Sequence, residues 1–123
     1  MAELSNKRVL VVEDNTILAF NLVDLLEERG AEVVGPALDL DTGLKLAAEN
    51  DLDAALLDIE LGDVRVWPLA EELHALSTPF AFISAQCTQE DLPEPFATRV
   101  CLEKPAGEED IVATVSKLLA AES

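Results

Sequence analysis

Cysteine and histidine are scarce in this sequence of 123 residues, which has two of the first and one of the second. Two cysteines do not make the disulfide framework of a small secreted domain, so we expect Cys87 and Cys101 to be reduced thiols. His74 lies within a predicted helix, where a surface position is expected rather than a role as ligand or phosphodonor. The sequence therefore predicts neither a disulfide scaffold nor a histidine-based metal site.

Basic residues are also few, with 8 Lys and Arg against 25 Asp and Glu and a net charge of −17. A surface this acidic repels the phosphate backbones of nucleic acids and the anionic surfaces of membranes. We therefore expect neither as a direct partner. The charge keeps a small protein soluble and does not by itself identify a partner.

Long hydrophobic runs are missing as well. No apolar stretch approaches the roughly 20 residues that are needed to cross a bilayer, and residues 1–7 lack the apolar core of a signal peptide. We therefore expect a cytoplasmic protein. The length suits one domain, residues 1–123, and half of the residues are hydrophobic, enough for a normal core. No output domain is expected to follow.

Short apolar runs alternate five times with longer amphipathic stretches. The predicted strands are 9–12, 32–37, 54–58, 80–84 and 99–103. The predicted helices are 16–29 with Asn15 as its cap, 40–49, 67–76 and 108–119. Residues 59–64 are predicted as a loop, and Pro93 and Pro95 argue against a long helix in 86–98. This alternation predicts an α/β fold with a parallel sheet between two layers of helices.

Polar residues stand at the carboxyl ends of the predicted strands, where ligands of such sheets collect. Each has an ordinary structural explanation when taken alone, such as a helix start, a turn or a surface cation. Together, Glu13, Asp14 and Asp58 would repel, at about 4 kcal/mol per pair at about 4 Å in an effective dielectric near 20. A hard divalent cation such as Mg²⁺ relieves this repulsion. With the Ser84 hydroxyl and the Lys104 ammonium, the set has the groups that phosphoryl transfer to an aspartate needs.

Four motifs in order resemble those of a bacterial response-regulator receiver domain, over essentially the whole chain. They are Val-Leu-Val-Val-Glu-Asp-Asn (9–15), Ala-Leu-Leu-Asp-Ile-Glu-Leu (55–61), Ile-Ser-Ala (83–85) and Glu-Lys-Pro (103–105). The resemblance implies a flavodoxin-like, doubly wound, five-stranded parallel sheet of order 2-1-3-4-5, with helices on both faces. It also implies a cis peptide bond between Lys104 and Pro105.

The same resemblance implies a role for each site residue. Asp58 is the phosphoacceptor, and its donor is a histidine kinase. Mg²⁺ is held by Asp14, Asp58, the backbone carbonyl of Glu60 and, through water, Glu13. The phosphoryl-binding positions implied are Ser84, Ala85, Lys104 and Ile59.

A finer resemblance covers residues 78–86, Thr-Pro-Phe-Ala-Phe-Ile-Ser-Ala-Gln. This segment is similar to the Pro-Phe-x-Phe-Ala-Thr-Gly-Tyr pattern of a receiver subfamily that is often single-domain and is associated with HWE-type histidine kinases. Ser84, Ala85 and Gln86 stand where that pattern has Thr, Gly and Tyr. The resemblance implies an HWE-type kinase as the phosphodonor.

Gln86 and Cys101 form the predicted switch region. Many receivers carry an aromatic residue at the position of Cys101, and this chain has no ring there to rotate. We therefore expect phosphorylation to act by ordering residues 86–97, whose two prolines disfavour a stable helix.

Three functions of different classes remain open at this point. The first is a phospho-switched binding module, not an enzyme, that signals through a downstream protein or phosphotransferase or serves as a phosphate sink. The second is a phosphatase of the haloacid-dehalogenase type, because Asp58-Ile59-Glu60 resembles its Asp-x-Asp motif. The third is a pseudo-receiver adaptor that works without phosphate. Turnover of small phosphate esters is expected of the phosphatase and not of the other two. The sequence does not predict the oligomeric state.

Overall fold

The secondary structure is taken from a computed structural model, which describes residues 4–85, 87 and 92–121. The strands are β1 Arg8–Val12, β2 Glu32–Ala37, β3 Ala54–Asp58, β4 Glu60–Leu61, β5 Val64–Arg65, β6 Phe80–Ser84 and β7 Cys101–Glu103. The α-helices are α1 Thr16–Glu28, α2 Leu40–Glu49, α3 Trp67–Ala75 and α4 Glu108–Ala121, and a 3₁₀ helix spans Glu94–Phe96. Among these helices none is long and apolar enough to cross a bilayer.

Within the described residues, five parallel strands form one sheet in the order β2-β1-β3-β6-β7. This confirms the predicted order 2-1-3-4-5, because β6 and β7 are the fourth and fifth strands of the sheet. The short strands β4 and β5 form a separate antiparallel pair.

Two hydrophobic clusters lie on opposite faces of the sheet. One packs the sheet against α2 and α3, with Leu57, Leu69 and Phe82 among its members. The other packs it against α1 and α4, with Leu26 and Val115 among its members. β3 and β6 are buried along their whole length, as expected for strands that are covered on both faces. The layered α/β fold is therefore confirmed.

The start of α1 follows the predicted capping pattern. The Asn15 side chain accepts a hydrogen bond of 3.1 Å from the backbone N–H of Leu18, which satisfies one of the free amides of the first turn. Asp39 caps α2 in the same way, through a 2.7 Å bond from the Thr42 amide. These local caps fix the direction in which each helix leaves its strand.

Two predicted segments differ in detail from the structure, and a third agrees with its prediction. Residues 59–64 were predicted as a loop, but Glu60 pairs with Arg65 in the β4–β5 hairpin. The fifth strand of the sheet begins at Cys101 rather than at residue 99. Between residues 92 and 100 the regular helix is the 3₁₀ turn Glu94–Phe96, in keeping with the two prolines there. Gln86 and residues 88–91 lie outside the described part of the chain.

The expectation of two reduced thiols is wrong. Cys87 and Cys101 are joined by a disulfide bond, with their Cα atoms 5.7 Å apart. The register of β6 against β7 places Cys101 opposite Phe82, and Cys87 follows the end of β6 by three positions. The prediction from cysteine counting was wrong because it compared the sequence with multi-disulfide scaffolds, whereas this bond depends on the proximity of two neighbouring strands.

Candidate functional site

The carboxyl edge of the sheet brings together the polar residues that were predicted to meet there. Asp58 ends β3, Ser84 ends β6, and Lys104 follows β7. The strand register pairs Asp58 with Ile83 and Ser84 with Glu103. Three consecutive strands of the sheet therefore deliver their terminal side chains to one place.

Lys104 lies between two carboxylates. Its Nζ is 2.9 Å from Glu13 Oε1 and 3.2 Å from Asp58 Oδ2. The other Glu13 oxygen accepts a 3.0 Å hydrogen bond from the Asn15 amide. The Lys104 backbone N–H donates to the Ser84 carbonyl at 2.8 Å, which ties the lysine to the end of β6. The peptide bond from Lys104 to Pro105 is cis, as the resemblance implied.

Burial dominates the electrostatics of Asp58, which is 4% exposed. Removal from water raises the pKa of its carboxyl to about 7, and the hydrogen bond and negative charge of Glu13 raise this pKa further than Lys104 lowers it. Burial acts to lower the pKa of the Lys104 ammonium, but its contacts with Glu13 and Asp58 outweigh burial and raise it. A proton or a cation is therefore strongly favoured next to Asp58.

Glu13, Asp14 and Asp58 meet the simplest requirement for a divalent cation. Each offers a carboxylate oxygen, and these three atoms lie within 4.8 Å of one another. Glu13 is fully buried and Asp14 is exposed, so the group has a side open to solvent. With all three ionised and Lys104 charged, the site carries a net charge of −2. The oxygen ligands, the charge and the raised pKa of Asp58 all fit a hard divalent ion such as Mg²⁺.

The remaining predicted residues lie around Asp58 and differ in their exposure and contacts. Ser84 is buried, and Ala85 follows it at an exposed position. The Glu60 amide donates a 3.3 Å hydrogen bond to Asp58 Oδ1, so the chain beyond Asp58 turns back on its carboxylate. Ile59 is buried, and its carbonyl accepts from the Val66 amide at 2.9 Å. The Glu60 carbonyl as metal ligand and the phosphoryl-binding roles stay predictions.

Two direct contacts at the site were not predicted, although Glu13 and Lys104 were expected at the same sheet edge. The Gly62 amide donates a 3.0 Å hydrogen bond to Asp14 Oδ2 across 48 positions, so the β4–β5 hairpin holds the exposed carboxylate. The ion pair between Glu13 and Lys104 spans most of the chain. Neither contact follows from local spacing, because each depends on how distant segments pack. In the predicted switch region, Cys101 is bonded to Cys87, and Gln86 is outside the described residues.

An open groove of about 660 Å³ leads to the site between α1 and the connection from β7 to α4. Glu13 and Lys104 lie at its polar end, and Leu18 and Leu22 of α1 line its apolar wall. Leu18 is exposed, as are Ile17 and Phe20 on the same helix. A protein surface that delivers a group to Asp58 would therefore meet apolar side chains on the way.

The sequence matches a family model described as "Response regulator receiver domain" over residues 9–116. Among curated proteins, the transcriptional regulatory protein PdtaR of Mycobacterium tuberculosis is 33% identical over 55 residues, which are 45% of this chain and 27% of that protein. The sensory transduction protein LytT of Bacillus anthracis is 30% identical over 113 residues, which are 89% of this chain and 46% of that protein. The chain spans less than half the length of each of these two relatives.

Solved structures agree with this match. The response regulator PhyR from Brucella abortus superposes with a TM-score of 0.83 at 28% identity, over 98% of this chain and 51% of that one. The response regulator protein TrrA from Thermotoga maritima, solved in complex with Mg²⁺ and beryllofluoride, has a TM-score of 0.80 at 24% identity, over 92% of this chain and 99% of that one. The latter shows the fold alone. The family match over most of the chain, to which the acidic group, Ser84 and Lys104 at one sheet edge conform, establishes that the chain belongs to the response regulator receiver domains.

Proposed function

We propose that this chain is a phospho-switched signalling domain that accepts a phosphoryl group from a histidine kinase on Asp58, with Mg²⁺ bound beside it. The observation that carries the proposal is the position of Asp58, which lies within the group of three carboxylates and 3.2 Å from the Lys104 ammonium. A nucleophile, a divalent cation site and a fixed positive charge at one point are the components of phosphoryl transfer by positioning and charge neutralisation.

In the proposed reaction, a carboxylate oxygen of Asp58 forms a bond to phosphorus as the phosphorus–nitrogen bond of a phosphohistidine breaks. The histidine leaves with the electron pair of that bond. Asp58 must be ionised to attack, and its raised pKa indicates that burial and Glu13 disfavour the ionised form even with Lys104 beside it, so that a further cation would favour ionisation. Bound Mg²⁺ would supply that charge, held by Asp14, Asp58 and the backbone carbonyl of Glu60 and, through water, by Glu13.

Lys104 and Ser84 serve the transferred group in this proposal. The Lys104 ammonium already contacts the acceptor, so it is placed to neutralise an oxygen of the phosphoryl group on Asp58. The Ser84 hydroxyl ends the adjacent strand and would donate to a second oxygen. Because Asp58 is almost completely buried, the site also restricts the access of water to the reacting atoms.

The proposed phosphodonor is a histidine kinase of the HWE type, and the support for this finer assignment is the similarity of residues 78–86 to the corresponding receiver subfamily. The likeness to PhyR at 28% identity is compatible with it. The kinase surface would enter along the groove, where Leu18 offers an apolar contact next to Glu13 and Lys104. The phosphorylated form would then act in the cytoplasm through a protein partner or phosphotransferase, without turnover of its own.

The test is labelling with acetyl phosphate and Mg²⁺, followed by intact-mass analysis. We expect one added phosphate in the wild-type protein and none in Asp58→Asn. Asp63→Asn is the matched control, because Asp63 is an exposed aspartate in the nearby hairpin turn and its variant should label like wild type. Full labelling of Asp58→Asn would exclude Asp58 as the acceptor. Sustained hydrolysis of a small phosphate ester would instead favour an enzyme.

A further inference from the structure

The disulfide bond lies next to the phosphoryl-binding residues of the proposed site. Cys87 is three positions after Ser84, and Cys101 is three positions before Lys104. At the site itself, the Lys104 amide is hydrogen-bonded to the Ser84 carbonyl at 2.8 Å. The chain at and after the end of β6 is therefore joined to β7 twice, by this hydrogen bond just past the end of β7 and by the disulfide at Cys101, the first residue of β7.

The bond also encloses the predicted switch segment. Cys87 and Cys101 are 14 positions apart, and the described part of the chain between them, residues 92–100, includes the 3₁₀ helix. Phe96 of that helix is buried and stacks on Trp67 with 6.2 Å between ring centroids. The disulfide limits how far the two ends of this segment move apart.

Both cysteines are half-buried, so they are partly open to a reductant. Disulfides in a reducing cytoplasm are usually transient and redox-sensing rather than permanent. When the bond opens, the chain at Cys87, three residues after Ser84, loses its covalent tie to β7.

We propose that the Cys87–Cys101 disulfide is a redox switch on the phosphoacceptor site, which restrains the response to phosphorylation when oxidised and releases it when reduced by a dithiol. This inference rests on the proposed function of Asp58. In the oxidised protein, the disulfide holds Cys87 at β7, so drawing the preceding residues Ser84 and Ala85 toward a phosphoryl group is opposed. In the reduced protein only the hydrogen bonds between β6 and the β7 end, such as that from the Lys104 amide to the Ser84 carbonyl, oppose this movement, and binding of a phosphoryl group is tighter.

The chemistry is thiol–disulfide exchange. A thiolate of the dithiol attacks one sulfur of the bond and forms a mixed disulfide, while the other cysteine leaves as a thiolate. The second thiolate of the reductant then displaces the first cysteine, and the reductant becomes a disulfide. Two electrons pass to the protein, and two protons convert Cys87 and Cys101 to thiols.

The experiment compares wild-type protein equilibrated in oxidised and in reduced dithiothreitol. Alkylation and intact-mass analysis first count the free thiols, and we expect none in the oxidised form and two in the reduced form. Beryllofluoride is then titrated at saturating Mg²⁺ and followed by the fluorescence of Trp67, the single tryptophan of the chain, which contacts Phe96 of the enclosed segment. We expect the reduced form to bind beryllofluoride at least about fivefold more tightly, the lower end of typical coupling between two sites.

The double variant Cys87→Ser/Cys101→Ser is the matched control, and it should bind like the reduced wild type in both buffers. Two free thiols in the oxidised buffer, or equal or tighter binding by the oxidised form, would overturn the proposed switch. Acetyl phosphate labelling of both forms separates the two proposals. If Asp58 is labelled but beryllofluoride binds equally to the oxidised and reduced forms, the switch alone is refuted. If neither form is labelled, the phosphoacceptor and the switch are both refuted.

Discussion

Replacing Asp58 by asparagine should remove a pH dependence of stability that the site imposes on the metal-free protein. Burial and Glu13 raise the pKa of Asp58 from 3.8 to about 7. Between these two pKa values the folded protein keeps a proton that the unfolded chain has lost. The stabilising contribution is therefore present at low pH and is lost as the pH rises through about 7.

The size of the effect follows from the two pKa values. Complete titration between them corresponds to about 4 kcal/mol, and between about pH 5.5 and about pH 8.5 at most about 2 kcal/mol of this is lost. The asparagine side chain is neutral at every pH, so the Asp58→Asn variant lacks this loss. As the pH rises over this range, we expect the free energy of unfolding of the variant to increase relative to that of wild type by about 1 to 2 kcal/mol. This corresponds to about 4 to 8 °C in Tm for a chain of this length.

The assay is thermal or urea unfolding of both proteins in EDTA at several pH values, with the difference between them plotted against pH. Other titrating groups are present in both proteins and largely cancel in that difference. Asp63→Asn removes an exposed carboxylate and should follow the wild-type curve. Parallel curves for wild type and Asp58→Asn from about pH 5.5 to about pH 8.5 would refute the proposed raised pKa.

Two further predictions address the metal and the kinase. Asp14→Ala removes a charged ligand and should weaken Mg²⁺ binding by about tenfold or more in a calorimetric titration, while the metal-free protein stays as stable or becomes more stable because one repelling carboxylate is gone. Unchanged Mg²⁺ affinity would exclude Asp14 as a ligand. Leu18→Gln should slow phosphotransfer from the cognate histidine kinase and leave acetyl phosphate labelling unchanged, whereas Leu76→Gln, the same change at an exposed leucine that follows α3, should alter neither rate. Equal transfer to both variants would argue against docking along the groove.

The layered fold was predictable because each of its steps is local or nearly so. Apolar runs such as residues 54–58 and 80–84 identify strands that are buried on both faces, and Asn15 has the residue type that caps a helix. Parallel strands joined by helices leave few topologies. The exceptions were also physical: the β4–β5 hairpin is too short to show a periodic pattern, and two prolines left residues 86–98 without a regular prediction.

The membership of the candidate site was largely predictable, and its energetics were not. Residues at the ends of parallel strands must share one edge of the sheet, which is why Glu13, Asp58, Ser84 and Lys104 were expected to meet. The pKa of Asp58 depends on how completely it is buried and on which oxygen faces Lys104. Burial and distance are properties of the packed chain.

The sequence by itself determined the order of the strands and helices, the acidic group at the sheet edge and the likeness to receiver domains, because these depend on residue type, periodicity and chain order. Only the tertiary structure decided that the Gly62 amide holds Asp14 and that Cys87 is bonded to Cys101. Such contacts join positions that are distant in the chain, and their existence depends on the register of neighbouring strands and on distances of a few ångströms. Chemistry that requires two groups to touch is therefore decided by the fold, whereas the groups themselves are already present in the sequence.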